Sequence, residues 1–193
     1  MKKLLLLVTA AVFSALMVSA QSSYKVASGK NLVKGTSSLH DWRMVGEKIG
    51  GTATINTSGT LAITALNLRM VSKSLKSIKE NGSYYDASMD KNAYKALNAD
   101  KFPEIIYTLT KTSNIKTSGN TTTLTATGNL TIAGKTNAVT FPVKAVVNGN
   151  NTTFTGSTKF KLTSFGIKPP TALLGTIKTG DDVTIEINTT YTK

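Results

Sequence analysis

Apolar and polar residues alternate one by one through much of this chain, and that two-residue period restricts its fold more than any other feature. Between residues 124 and 132, apolar residues and glycine take the even positions and polar residues the odd ones; residues 139–147, 154–162 and 183–191 repeat the pattern. Successive side chains of a strand point to opposite faces, so each such strand has one buried and one solvated face. The pattern predicts an all-β, antiparallel protein.

Short turn sequences separate the alternating segments. Three of them have the composition of hairpin turns: Ser118-Gly119-Asn120, Gly134-Lys135 and Asn148-Gly149-Asn150. Further strands are predicted over residues 24–34, 43–56, 61–71 and 104–116. The total is about eight antiparallel strands.

One segment has helical spacing instead. Met89, Ala93, Tyr94 and Leu97 share a stripe within residues 88–98, where Ser88 is the predicted N-cap and Asn98 the predicted stop. Strands in meander order with one long helical connection favour a closed barrel, and a two-sheet sandwich is the alternative. A barrel of this size is either filled by side chains or holds one elongated ligand.

The first twenty residues predict export. Lys2 and Lys3 precede an apolar run that ends in small residues at Ala20, which is the pattern of a cleaved secretory signal peptide. The run is too short for a typical spanning helix. We therefore expect a signal peptide over residues 1–20 and a single domain over residues 21–193, in the periplasm or secreted. The chain has no cysteine, which excludes disulfides and thiolate chemistry.

The charge of the chain restricts its partners. The formal net charge is +13, but Arg43 and Arg69 are the only arginines, which argues against nucleic-acid binding. Weak attraction to an anionic membrane surface is the remaining expectation. Lys73, Lys76 and Lys79 are interpreted as a solvated loop, with recognition of an anionic head group as the alternative.

Catalytic patterns are sparse. His40 is the only histidine, and a lone histidine beside a turn more often makes a structural hydrogen bond than acts as a base. Asp181 and Asp182 are adjacent in a predicted strand and would face opposite sides. The sequence has neither a nucleophile elbow nor a phosphate-binding glycine loop. These observations favour binding over catalysis and predict no metal and no cofactor.

Several fragments resemble one family. Residues 128–136 read GNLTIAGKT and are similar to a hairpin of the YceI-like, polyisoprenoid-binding proteins. Further fragments match in the family's order: Ser38-Leu39-His40-Asp41-Trp42, Phe102-Pro103-Glu104-Ile105, Ser164-Phe165-Gly166-Ile167 and Gly180-Asp181-Asp182-Val183. The resemblance implies an extended, eight-stranded, lipocalin-like barrel with one short helix in a long connection. It also implies an apolar tunnel for a long lipid.

The expected function is non-enzymatic carriage or sequestration of a polyisoprenoid, an isoprenoid quinone or a fatty-acid-like chain, with a homodimer as a further expectation. The alternative is a structural or adhesive secreted β-domain with a filled core. The residues predicted to line the tunnel are Leu66, Leu68, Met70, Tyr107, Leu130, Ile132, Phe141, Phe154, Phe160, Ile185 and Ile187. Those predicted at its mouth, where an amphipathic ring can meet water, are Trp42, Tyr84, Tyr85 and Phe165.

Overall fold

The computed structural model describes residues 21–193, so the predicted signal peptide over residues 1–20 lies outside the described residues. The described residues form thirteen strands and one α-helix. In chain order these elements are β1 (Ser22–Gly29), β2 (Asn31–Ser37), β3 (Trp42–Gly46), β4 (Ile49–Gly50), β5 (Thr52–Asn56), β6 (Ala62–Val71), β7 (Leu75–Ser77), α1 (Ala87–Ala96), β8 (Glu104–Ser118), β9 (Thr121–Ile132), β10 (Lys135–Asn148), β11 (Asn151–Lys161), β12 (Thr171–Ala172) and β13 (Ile177–Thr192).

Eight of these strands close into an antiparallel barrel. Their hydrogen-bonded order is β1-β5-β6-β8-β9-β10-β11-β13, and β13 pairs back with β1, where Lys25 lies opposite Thr192. The predicted eight-stranded barrel is therefore confirmed, and the two-sheet sandwich is excluded. Along β9 the buried positions are the even ones from Thr122 to Ile132, which is the face that the alternation assigned to the interior.

Two predicted strands are divided in the structure. The segment predicted over residues 24–34 breaks at Lys30, whose amide donates to the Asn188 carbonyl oxygen at 2.8 Å. Buried Asn31 holds this break, because its Oδ1 accepts bonds from the Asn188 amide at 3.1 Å and the Thr189 hydroxyl at 3.0 Å. As a result, β13 pairs with β1 near its end and with β2 nearer its start. The segment predicted over residues 43–56 is likewise divided into β3, β4 and β5.

Helix α1 packs beside β7. Strand β7 pairs with β3 on one side and has no strand partner on the other within residues 21–193. Tyr94 of α1 donates its hydroxyl to the Leu75 carbonyl oxygen at 2.7 Å on that strand. The helix is capped by Asp86, whose carboxylate accepts the Met89 amide at 2.8 Å. The predicted cap, Ser88, is wrong by two residues, because the carboxylate of Asp86 already satisfies the free amide.

The two ends of the barrel differ in packing. At the end that holds the Gly119 and Gly149 turns, a tight cluster fills the interior; it consists of Tyr24, Ala53, Ile55, Leu61, Ala145, Phe154 and Tyr191. A second cluster runs from the middle of the barrel to α1 and includes Met44, Ile105, Phe141 and Ile167. The end beside α1 is less completely filled.

Candidate ligand-binding site

A large cavity, which we call the chamber, lies between α1 and the adjacent end of the barrel. Its volume is about 880 Å³, within the range of sites that hold small organic ligands. Strands β2, β3 and β13, helix α1 and residues 167–175 contribute its walls. Most lining residues are apolar, among them Val33, Met44, Leu75, Ile105, Leu162, Ile167, Val183 and Ile185. The chamber is thus an apolar site of ligand size.

Helix α1 forms one wall of the chamber. Met89, Ala93 and Leu97 repeat every four residues, so they share one face, and all three line the chamber. The helix is fixed from behind by Asp90, whose side chain is 3% exposed. Its carboxylate accepts the Ser77 amide at 2.6 Å and the Tyr84 hydroxyl at 3.1 Å, and lies 3.4 Å from the Lys76 ammonium. This buried anion therefore anchors the wall to β7.

The polar part of the lining carries almost no charge. It comprises Ser37, His40, Tyr85, Asp86, Ser88, Asn92, Thr171 and Thr179, and none of the described lining residues is a lysine or an arginine. Bonds from the Ser88 hydroxyl and the Met89 amide hold the pKa of Asp86 below its ordinary value. Lys73 and Lys76 lie outside the lining and pair with Asp100 and Asp90. The chamber is therefore uncharged except for one carboxylate.

His40 makes two local contacts at the opening. Its Nδ1 lies 2.7 Å from the Asp41 carbonyl oxygen, and its Nε2 lies 3.2 Å from the Tyr85 hydroxyl. The two rings also meet edge to face. Among residues 21–193, no cluster of three or more His, Asp or Glu side chains is arranged to hold a metal ion. The histidine thus joins the loop before β3 to the segment before α1.

The chamber opens between two loops. Leu39 on one loop is 65% exposed, and Leu173 and Leu174 on the other are 72% and 109% exposed, although all three line the chamber. Ser38 ties the Leu39 loop to the start of β13, directly after the loop of Leu173 and Leu174: its amide donates to the Lys178 carbonyl oxygen at 2.9 Å, and its Oγ accepts the Lys178 amide at 3.0 Å. The rim of the opening is therefore apolar and has a defined backbone.

A second, much smaller cavity lies deeper in the barrel. Its volume is about 50 Å³ and its walls are apolar. Tyr107 and Phe141 approach with ring centroids 5.7 Å apart, and the Tyr107 ring lies so close to Gly128 that a Cβ there would come within 2.5 Å of it. Burial raises the pKa of Tyr107 to about 12. Aromatic rings therefore narrow the barrel interior to a small residual space.

The residues predicted to line a tunnel fall into three groups. Six line the inner cavity: Leu66, Leu68, Tyr107, Phe141, Phe154 and Ile187. Ile132, Phe160 and Ile185 line the chamber. Met70 and Leu130 are buried in the core cluster and line neither cavity. The residues predicted to face inward thus lie inside the barrel, but most of them surround the small inner cavity or fill the core and do not line the chamber.

Of the four residues predicted at the mouth of the tunnel, two line the chamber and two do not. Trp42 and Tyr85 line the chamber. Tyr84 is 51% exposed and lies outside the lining, because its hydroxyl is directed to Asp90. Phe165 is 2% exposed and packs edge to face on Phe160, with centroids 4.9 Å apart, so it lies in the packed interior.

Sequence reasoning missed most of the chamber. The apolar stripe of α1 identified Met89, Ala93 and Leu97 as a packing face, but not as a wall facing an open space. One feature of the sequence does indicate the opening: Leu173 and Leu174 are an adjacent apolar pair in a loop between Pro170 and Gly175. Apolar residues in a loop normally need a surface to cover them.

Comparison with known proteins gives one family. The model of the YceI-like domain matches residues 23–191. The chain is similar to the crystal structure of Burkholderia cenocepacia BcnA, with a TM-score of 0.66, 18% identity, and coverage of 84% of this chain and 95% of that one. The chain is also similar to the crystal structure of a Campylobacter jejuni YCEI protein, with a TM-score of 0.58, 16% identity, and coverage of 78% of this chain and 84% of that one. A comparison with curated protein sequences gives no match.

Proposed function

This chain belongs to the YceI-like domain family, and from that premise we propose that it binds one long apolar lipid and carries or sequesters it without chemical change. Polyisoprenoids, isoprenoid quinones and fatty-acid-like chains are the ligand classes that suit it. The observation that carries the proposal is the apolar chamber of about 880 Å³ between α1 and the barrel.

Burial of a hydrocarbon chain supplies the binding energy. Each buried CH₂ contributes about 0.8 kcal/mol. A dozen buried carbons therefore provide on the order of 10 kcal/mol, before the cost of ordering the ligand is subtracted. Such binding needs few directed polar contacts, which agrees with the sparse polar lining of the chamber. The filled end of the barrel limits how deeply the chain enters.

The proposal includes export. We infer that residues 1–20 are removed as a signal peptide and that residues 21–193 act as one domain in the periplasm or outside the cell. Removal of Lys2 and Lys3 with the signal peptide lowers the net charge from +13 to +11, which still supports a weak attraction to anionic membrane surfaces. Within residues 21–193, no helix has the length and apolar character needed to cross a bilayer.

Native mass spectrometry of the processed chain, purified without detergent from its own host, tests the proposal. We expect a discrete adduct that partitions into organic solvent. Ala93→Trp should abolish the adduct by filling the chamber from α1, whereas Lys95→Trp on the exposed face of the same helix should retain it. An unliganded mass that does not change on incubation with isoprenoid quinones and fatty acids would contradict lipid binding.

A further inference from the structure

We propose that the opening of the chamber docks on an anionic lipid bilayer through Leu39, Leu173 and Leu174, which we call the leucine rim. The inference rests on the proposed lipid-binding function and adds the surface from which the ligand is taken or to which it is delivered. Three features of the described residues carry it: exposure, backbone conformation and charge.

The leucine rim is exposed where the chamber meets solvent. Single exposed leucines are ordinary on protein surfaces. Here three of them lie at the opening of an apolar cavity, and Leu174 is 109% exposed, so no side chain of residues 21–193 covers it. Clustered exposed apolar side chains mark a surface that a partner covers. Because the rim is continuous with the chamber, a lipid leaving a bilayer would stay in apolar surroundings throughout.

The backbone holds the two adjacent leucines in an unfavourable conformation. Leu173 and Leu174 have φ values of 48° and 55°, in the left-handed region that leucine rarely adopts. The turn is closed by the bond from the Thr176 amide to the Leu173 carbonyl oxygen at 3.1 Å. Asparagine would adopt these angles with less strain, so leucine at both positions is not explained by the stability of the turn.

Charge decides which partner the rim fits. Lys168 and Lys178 flank the leucine loop and are exposed, and residues 166–180 contain no acidic residue. Ile177 and Thr179 face the chamber, so Lys178 between them points outward. The acids of this region are Asp41, which is exposed and lies two residues after Leu39, and Asp86, which lines the chamber. A second copy of the chain related by twofold symmetry would set these lysines against each other, whereas an anionic bilayer attracts them and accepts the leucines.

Vesicle flotation of the delipidated, processed chain tests the docking surface. The vesicles contain phosphatidylcholine alone or with 30 mol% phosphatidylglycerol. We expect binding to the anionic vesicles, which should fall about 5-fold or more in Leu173→Asn/Leu174→Asn. The thermal midpoint of that variant should stay equal or rise, because strain is relieved. Ile115→Asn is the control, since Ile115 is 39% exposed and lies near the Gly119 turn, away from the chamber.

Three results would overturn the proposal: no binding of the parent chain to anionic vesicles, equal binding by the asparagine variant, or an equal loss in Ile115→Asn. A dimer that dissociates in the asparagine variant, with vesicle binding unchanged, would assign the rim to a second copy instead. Loading the chain with an isoprenoid quinone from ethanol distinguishes failure of the docking proposal from failure of the proposed lipid binding. A parent chain that takes quinone from ethanol but does not bind anionic vesicles contradicts docking alone, whereas a parent chain that takes quinone by neither route contradicts lipid binding itself.

Discussion

Two buried tyrosine hydroxyls inside the barrel have different surroundings. The Tyr191 hydroxyl donates to the Asn67 carbonyl oxygen at 2.7 Å, whereas no protein atom among the described residues partners the Tyr107 hydroxyl. An unpaired buried hydroxyl costs about 1–3 kcal/mol, and a satisfied one contributes about 1 kcal/mol. We expect Tyr107→Phe to raise the free energy of unfolding by about 1 kcal/mol and Tyr191→Phe to lower it by a similar amount. Urea denaturation measures both, and changes of the same sign would contradict this assignment.

Tyr107 also makes the free energy of unfolding depend on pH in the alkaline range. Burial raises the pKa of Tyr107 from 10.0 to about 12, so the folded state retains its proton over a range in which the unfolded chain has lost it. The contribution of Tyr107 is complete below pH 10 and is lost as the pH rises toward 12. The free energy of unfolding should fall through this window by up to about 1.4 kcal/mol per pH unit from this group.

Comparison of the parent chain with Tyr107→Phe removes this contribution, while the surface lysines and Tyr191, whose pKa is also raised by burial and in part by Tyr107, remain in both. Denaturation curves at several values between pH 9 and 12 should show a shallower decline for the variant. Parallel declines would mean that Tyr107 ionises normally in the folded protein.

Gly128 is required by the ring that covers it. A Cβ at this position would lie 2.5 Å from both the Tyr107 ring and the Thr108 carbonyl oxygen. Gly128→Ala should therefore destabilise the protein by about 1–3 kcal/mol, as expected for overpacking. Gly50 is the matched control, since a Cβ there meets no atom of residues 21–193 within 4 Å, and Gly50→Ala should be nearly neutral. Thermal denaturation compares the two, and equal effects would exclude ring packing as the reason for glycine.

At the residue scale, alternation predicts which side chains point inward but not what they meet there. Leu130 and Ile132 share the inward face of β9, yet only Ile132 lines the chamber. The prediction that Phe165 lies at the mouth, where an amphipathic ring can meet water, is wrong, because Phe165 is buried against Phe160. The period of a strand gives the direction of a side chain, whereas the depth of a residue depends on strand stagger and on distant partners.

At the scale of the element, the position of α1 depends on one buried carboxylate. Asp90 accepts bonds from the Ser77 amide and the Tyr84 hydroxyl, and Asp90→Ala would remove both bonds and leave the buried Ser77 amide unpaired. We expect a loss of roughly 3 kcal/mol in the free energy of unfolding. Asp100→Ala is the control, because Asp100 is 88% exposed and its ion pair with Lys73 is worth at most about 1 kcal/mol.

Hydrogen exchange adds a local readout of the same change. If Asp90 anchors the chamber wall, Asp90→Ala should accelerate exchange in α1 and β7 more than in β9 and β10. Uniform acceleration would show that the carboxylate contributes only to global stability.

Elements differed in how well they could be predicted. Helix α1 was recognised from its stripe, and its stop at Asn98 agrees with the left-handed conformation there, at φ 47°. The break between β1 and β2 was not recognised, because an extended pattern continues through Lys30. The break depends on buried Asn31 bonding to β13, a contact between residues far apart in the chain that local periodicity does not encode.

For the whole molecule, the alternation of apolar and polar residues determines neither whether the sheet closes into a barrel nor whether the barrel interior is empty. Closure follows from β13 pairing with β1, which no local pattern specifies. The amount of empty space varies along the barrel. Phe154 and Tyr191 pack edge to face and fill one end, whereas the chamber lies between α1 and the other end. The two alternatives raised by the sequence, a filled interior and a hollow one, therefore each describe one part of the same barrel.

The distribution of charge over the whole molecule predicts the kind of head group that the chamber prefers. The chain carries 23 lysines and arginines, yet none lines the chamber among the described residues, where Asp86 is the charged group. An anionic head group would find no cation there and one like charge. We therefore expect geranylgeraniol to bind about 10-fold more tightly than geranylgeranyl phosphate, which has the same chain.

Asn92→Lys should reduce or reverse this preference, because Asn92 lies on α1 in the chamber lining and lysine favours a helix more than asparagine does. Asn188→Lys adds the same charge at an exposed position outside the lining and should leave the preference unchanged. Trp42, the only tryptophan, lines the chamber, so its fluorescence reports binding of both ligands in all three proteins. Equal affinity for the alcohol and the phosphate in the parent chain would mean that the head group stays in solvent and that the chamber selects its ligand by the hydrocarbon chain alone.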